Sequence, residues 1–129
     1  MPGIPADTPP RVREERPSER VARIVLARPE ARNAQDKRML YELDAAFLRA
    51  MQDDEVRVVI VAADGPTFSS GHDLREPFAV EEGEQVGTWC GYSLPGVEGW
   101  LATERELFVG LCRRWRDLPK PTIAAVQGR

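Results

Sequence analysis

The sequence is poor in the residues on which metal and redox chemistry depend. Its 129 residues hold one histidine, His72, and two cysteines, Cys90 and Cys112, which lie 22 positions apart with no histidine or third cysteine beside them. A single imidazole excludes the H-E-x-x-H metalloprotease helix, and two distant thiols provide neither a zinc knuckle nor a disulfide framework. Long apolar runs are missing as well. No stretch approaches the roughly 18 apolar residues of a membrane span, and the first ten residues lack the basic and apolar regions of a signal peptide. A cytoplasmic chain with reduced thiols and no membrane span is the expectation. Lysine is scarce, two against sixteen arginines, but 21 acids leave a net charge of −3, so composition gives no support to a nucleic-acid partner. G-x-G-x-x-G, G-x-x-x-x-G-K-[ST] and G-x-S-x-G are all absent, which removes the main support for two nucleotide-phosphate folds and for a hydrolase nucleophile elbow.

What remains, 42% hydrophobic and 30% charged, describes one globular domain at most. Charge is unevenly spread. From Glu76 to Glu106 there are seven glutamates and one arginine, a local −6, so the rest carries +3. An anionic ligand is expected near Arg28, Arg32, Lys37 and Arg38, and a solvated face without a ligand is the alternative.

Residues 1–19 hold five of the eleven prolines and read as a disordered, Pro-rich leader. From residue 20 to 129 the pattern is that of a folded α/β unit. Val21, Ile24, Val25 and Leu26 form a first strand stopped by Pro29. Asp36, or Gln35 just before it, starts a helix whose stripe is Met39, Leu40, Leu43, Ala46, Phe47, Ala50 and Met51 and which ends at Asp53-Asp54. Val56, Val58, Val59, Ile60 and Val61 are too continuous for a half-exposed strand and read as buried on both faces. Asp64-Gly65-Pro66 turns the chain, and Phe68-Ser69-Ser70-Gly71-His72-Asp73-Leu74 follows as a binding loop. Residues 76–99 have no clear period and read as a long loop or short helices. Leu101, Phe108, Leu111, Cys112, Trp115 and Leu118 give a second helix, stopped by Pro119 and Pro121. Thr122 to Val126 starts another buried strand.

Ser69, Ser70, His72 and Asp73 do not make a hydrolase triad, because near neighbours in one extended loop aim their side chains in different directions. The loop's backbone is the better candidate. A glycine after a buried strand can present the next amide N–H outward, and such a donor stabilises an oxyanion because it is fixed before charge develops. On residues alone, an ordinary surface loop that uses glycine for turning accounts for Ser70-Gly71 as well.

Four motifs in order carry a resemblance. Arg28-Pro29-Glu30-Ala31-Arg32-Asn33-Ala34, then Val58-Val59-Ile60-Val61, then Phe68 to Leu74, then Leu118-Pro119-Lys120-Pro121-Thr122-Ile123-Ala124-Ala125-Val126-Gln127-Gly128 resemble the N-terminal half of the enoyl-CoA hydratase/isomerase, or crotonase, superfamily. The resemblance implies a spiral of ββα units, here truncated after the strand at about residue 126, and assembly as trimers or hexamers. It implies an acyl-CoA thioester substrate, with coenzyme A part of that substrate and no separate cofactor or metal. The backbone N–H of His72 would be the first oxyanion-hole donor. Arg32, Ala34, Ser70, Gly71, His72, Asp73, Leu74 and Arg129 would line the substrate. The second donor and the acidic proton-transfer residues would lie beyond Arg129, so the 129-residue chain alone is expected to be inactive. Glu76, Glu81 and Glu82 read as solvated charges. A non-catalytic acyl-CoA-binding or interaction module is the alternative reading.

Overall fold

The computed structural model describes residues 8–75 and 96–128. Four strands form one sheet in the order β1-β2-β3-β4. Strand β1 (Val12–Ser18) runs antiparallel to β2 (Val21–Leu26), which is parallel to β3 (Val58–Ala63), itself parallel to β4 (Thr122–Ala124). Parallel neighbours need a crossover, and helix α1 (Lys37–Gln52) supplies the one between β2 and β3.

Helix α1 begins where capping chemistry places it. Asp36 is extended, and its Oδ1 accepts the Met39 N–H at 2.9 Å. Met39, Leu40, Leu43, Ala46, Phe47 and Ala50 are buried along one stripe. Most of that stripe packs on Ala22, Ile24, Leu26 and Val59 of the sheet. At the other end the Lys120 ammonium donates to the Ala50 and Asp53 carbonyls at 2.8 and 2.7 Å, supplying a cation to the helix C-terminus.

Residues 12–18 were expected to belong to the disordered leader, and they form β1 instead; residues 1–7 lie outside the described residues. The strand escapes notice because it sits at the sheet edge, where proline and charge are tolerated. Pro17 falls within an irregularity of the pairing between Glu15 and Ser18. The charged side chains hold the strand in place: Arg13 pairs with Asp64, Arg23 with Glu15, Arg49 with Glu14 and Arg16 with Asp53. Glu42 of α1 accepts the backbone N–H groups of Arg11 and Val12 at 2.6 and 3.0 Å.

The second helical run differs from its expected form. It starts at Val97 and comprises α2 (Val97–Glu104), a π turn (Arg105–Gly110) and α3 (Leu111–Arg116). The wider π turn rotates the apolar stripe. Leu107 and Leu111 are therefore buried against Leu40, whereas Leu101 and Cys112, expected on the stripe, are exposed. Trp115 anchors the run by donating its indole N–H to Asp44 at 2.9 Å and by packing on Phe47 at a ring separation of 5.6 Å.

Strand β3 is not buried on both faces, since only Val59 is fully enclosed, and β4 is exposed along its length. Helix α1 covers the face that carries Val59, while Ile60 and its register partner Ile123 lie on the opposite face. Of the loop expected over residues 76–99, residues 76–95 fall outside the described residues, as does Arg129, and Val97 to Gly99 open α2 instead. Among those described, no helix is long and apolar enough to cross a membrane.

Candidate functional site

Chain direction after β3 is set by two glycines. Gly65 has φ +81°, and a Cβ there would lie 2.8 Å from the Pro29 Cβ, so a larger residue would displace the 3-10 turn Pro29–Ala31. Gly71 has φ +88° with open space where a Cβ would stand; its requirement is conformational.

Between these glycines, Asn33 ties the loop to the rest of the fold. It is fully buried with φ +52°, a left-handed conformation that asparagine tolerates better than most residues. Its Nδ2 donates to the Asp64 and Thr67 carbonyls, each at 2.9 Å, and its Oδ1 accepts the Arg28 backbone N–H at 2.9 Å. Ser69 Oγ donates to the Asn33 carbonyl at 2.8 Å and accepts the Gly71 N–H at 3.1 Å. Neither Asn33 nor Ser69 stood out in the sequence as an organiser of this site.

The loop then pairs with residues 32–35. Ser70 N–H donates to the Arg32 carbonyl at 3.0 Å, Gln35 N–H to the Gly71 carbonyl at 2.8 Å, and Asp73 N–H to the Gln35 carbonyl at 3.0 Å. The last two bonds make a parallel bridge between Gln35 and His72. In parallel pairing, a residue bridged through its two neighbours turns its own N–H and C=O to the opposite side. The His72 N–H therefore points away from Gln35. The imidazole rests against the Phe108 ring of the π turn, with centroids 4.1 Å apart.

Asp73 is buried and spent on arginines. Its carboxylate accepts Arg75 Nε at 3.0 Å and Arg28 Nη1 at 2.8 Å, and Arg28 Nη1 also stands 3.1 Å from Asp36 Oδ2. The Arg75 side chain, then its backbone N–H, then Arg28 hold the Asp73 carboxyl well below the usual carboxylate range, against the opposing effect of desolvation. Such a group does not take up a proton near neutral pH.

Bridge and turn together bring Arg32, Ala34, Ser70, Gly71, His72 and Asp73 to one place. Ala34 is buried, while Arg32, Ser70 and Leu74 are exposed. Arg129, the remaining candidate, lies outside the described residues. Of the four cations expected to attract an anion, Arg28 is occupied as above and Arg38 is occupied by Glu42 at 2.6 Å. The Arg32 guanidinium has no such pairing among the described residues, and Lys37 opens α1 half-buried. No cluster of three or more histidine, cysteine or acidic side chains fit for a metal occurs among the described residues.

The family model described as enoyl-CoA hydratase/isomerase matches residues 16–129. The Mycobacterium tuberculosis protein named "Putative enoyl-CoA hydratase EchA13" is 44% identical over 115 residues, 84% of this chain and 36% of its own length. Carnitinyl-CoA dehydratase of Citrobacter koseri is 37% identical over 109 residues, 84% of this chain and 35% of its own. The crystal structure of an enoyl-CoA hydratase/isomerase from Xanthobacter autotrophicus superposes with a TM-score of 0.73 at 37% identity, covering 92% of this chain and 39% of the other. The chain thus spans between a third and two fifths of the length of these relatives.

Proposed function

The chain belongs to the enoyl-CoA hydratase/isomerase family and has its crotonase fold, and on that premise we propose that the 70–74 loop is the thioester-carbonyl site of an acyl-CoA enzyme. The His72 backbone N–H donates to the thioester oxygen. Adding water across an α,β-unsaturated thioester, or moving its double bond, passes through an enolate whose negative charge sits on that oxygen. A donor held in place beforehand favours this state over the uncharged substrate. The observation that carries the reading is the Gln35–His72 bridge, which directs the His72 N–H away from Gln35.

On this reading Ala34, Ser70, Gly71 and Leu74 border the substrate, and Arg32 meets a CoA phosphate. Coenzyme A arrives with the substrate, and no separate cofactor is called for. Proton transfer belongs to neither His72, which packs at a tilt against Phe108, nor Asp73, which is neutralised by arginines. Action in the cytoplasm as a trimer or hexamer belongs to the same proposal.

The test separates backbone from side chain at position 72. An unsaturated acyl-CoA carrying a ¹³C carbonyl is bound to the protein, and its carbonyl stretch is read by infrared difference spectroscopy. Hydrogen bonding lowers that frequency, so the chain and His72→Ala, which keeps the N–H, should both show the lowering; His72→Pro should not. In a catalytically complete protein the proline variant should lose about 10²–10³-fold in turnover, the usual cost of one oxyanion donor. Equal damage from both variants, with folding and binding intact, would give the role to the imidazole and sink the proposal.

A further inference from the structure

Two carboxylates converge on one guanidinium at the Gln35–His72 bridge. Asp36 immediately follows Gln35, and Asp73 immediately follows His72, so each side of the bridge carries a buried acid. Arg28 Nη1 lies 3.1 Å from Asp36 Oδ2 and 2.8 Å from Asp73 Oδ2, and it donates to the Ala34 carbonyl at 3.1 Å. Arg11 also pairs with Asp36 and Arg75 with Asp73, but Arg28 reaches both acids. With an uncharged residue in its place, each acid would keep only the arginine on its own side, and no cation would join the two sides of the bridge against the repulsion of their carboxylates. The main chain of Arg28 is anchored too: its carbonyl accepts the Asn33 N–H at 2.9 Å, and its N–H donates to Asn33 Oδ1 at 2.9 Å. Arg28 is therefore fixed at the root of the segment it would clamp.

We propose that Arg28 is a positioning residue that pins the Gly71–Asp73 backbone to Gln35 and so sets the direction of the His72 N–H. The consequence for a bound thioester rests on the acyl-CoA reading of the loop, whereas the pinning does not. Arg28 acts through the backbone of its neighbours and touches no substrate.

Amide hydrogen exchange on the ligand-free chain reads the pinning directly. Arg28→Gln should speed exchange of the Gln35 and Asp73 amides, the two bonds of the bridge, by about tenfold or more. The Val59 amide, bonded to the Pro121 carbonyl, and the Asp64 amide, bonded to the Leu26 carbonyl, should keep their rates. Arg28→Lys, which retains the charge, should restore part of the protection. Unchanged rates at Gln35 and Asp73, or an equal rise at Val59 and Asp64, would overturn the proposal. Should Arg28→Gln fail to fold, Asp73→Asn must open the same two amides selectively, and its failure to do so is equally decisive. The labelled acyl-CoA then separates the two proposals. If the parent chain binds it without a lowered carbonyl frequency while the exchange pattern holds, the acyl-CoA reading fails and the pinning stands. If the parent lowers the frequency and Arg28→Gln binds with the same affinity and the same lowering, Arg28 does not position the donor.

Discussion

Asn33→Ala is the substitution whose cost can be worked most fully from the structure. It leaves three main-chain groups without their present partner, the Arg28 N–H and the carbonyls of Asp64 and Thr67. A fully buried orphan costs about 1–3 kcal/mol. These three residues are half-buried, so water can reach part of each, and the lower end applies: about 3 kcal/mol for the set. Alanine must also hold the left-handed φ of +52° without asparagine's local compensation, adding about 1 kcal/mol. The expected loss is about 4 kcal/mol, a large share of the roughly 5–15 kcal/mol that holds a typical domain together. Asn33→Gly makes the same three orphans but adopts the backbone freely, so it should be less damaging than alanine by about 1 kcal/mol. Urea unfolding followed by far-ultraviolet circular dichroism measures both. A loss below about 1 kcal/mol for Asn33→Ala would show that water replaces these bonds at no cost and would refute the reasoning.

Asp73→Asn tests the charge cluster through pH. Its carboxyl is lowered from the ordinary 3.8 in the folded protein, so its stabilisation is complete above about pH 4 and fades as pH falls below that towards the lower folded-state value. The variant should be less stable than the parent at pH 7, with a gap that narrows on acidification below pH 4; a gap constant with pH would exclude the ion pair as its source. Leu107→Ala should cost about 2–5 kcal/mol in urea unfolding, while Leu101→Ala should be almost neutral, since the π turn buries the first and leaves the second 57% exposed. Equal effects would mean that the helical run has the regular register. Arg32→Glu should weaken acyl-CoA binding most at low ionic strength, and titration calorimetry showing salt-independent, unchanged affinity would remove Arg32 from the site.

Local signals were legible in the sequence. The Asp36 cap and the stripe from Met39 to Ala50 put α1 within one residue of its start, because capping and periodicity act over a single turn. The strand from Val21 and the glycine turns were legible for the same reason. Strand β1 was not, because an edge strand whose Arg13, Glu14 and Glu15 find their partners in Asp64, Arg49 and Arg23 has the composition of a disordered segment. The π turn was hidden because one extra residue in a helical turn changes no residue type, only which leucines face inward. Local positive charge marks Arg28 as one of four cations near which an anion is expected, and one of the two acids it binds instead, Asp73, stands 45 residues away in the chain. Pairing over such a separation leaves no trace in local pattern.

The division of labour in the loop explains why side-chain chemistry was a poor guide to it. Specific residues are demanded where no side chain is presented to a ligand: glycine at 65 and 71 for backbone conformation, Asn33 for three main-chain partners, and Arg28 with Asp36 and Asp73 for the proposed clamp. At position 72, where the proposed donor lies, every residue except proline supplies an N–H. A search for nucleophiles, bases or ligand clusters therefore finds His72 for its imidazole, the part of the residue that packs on Phe108. Its amide can be found only from the residues that aim it, and those are the groups a substitution must spare if the loop is to keep its direction. Damage concentrated at Asn33, Gly71 and Arg28, with tolerance at the His72 side chain, is the pattern that distinguishes a backbone site from a side-chain one.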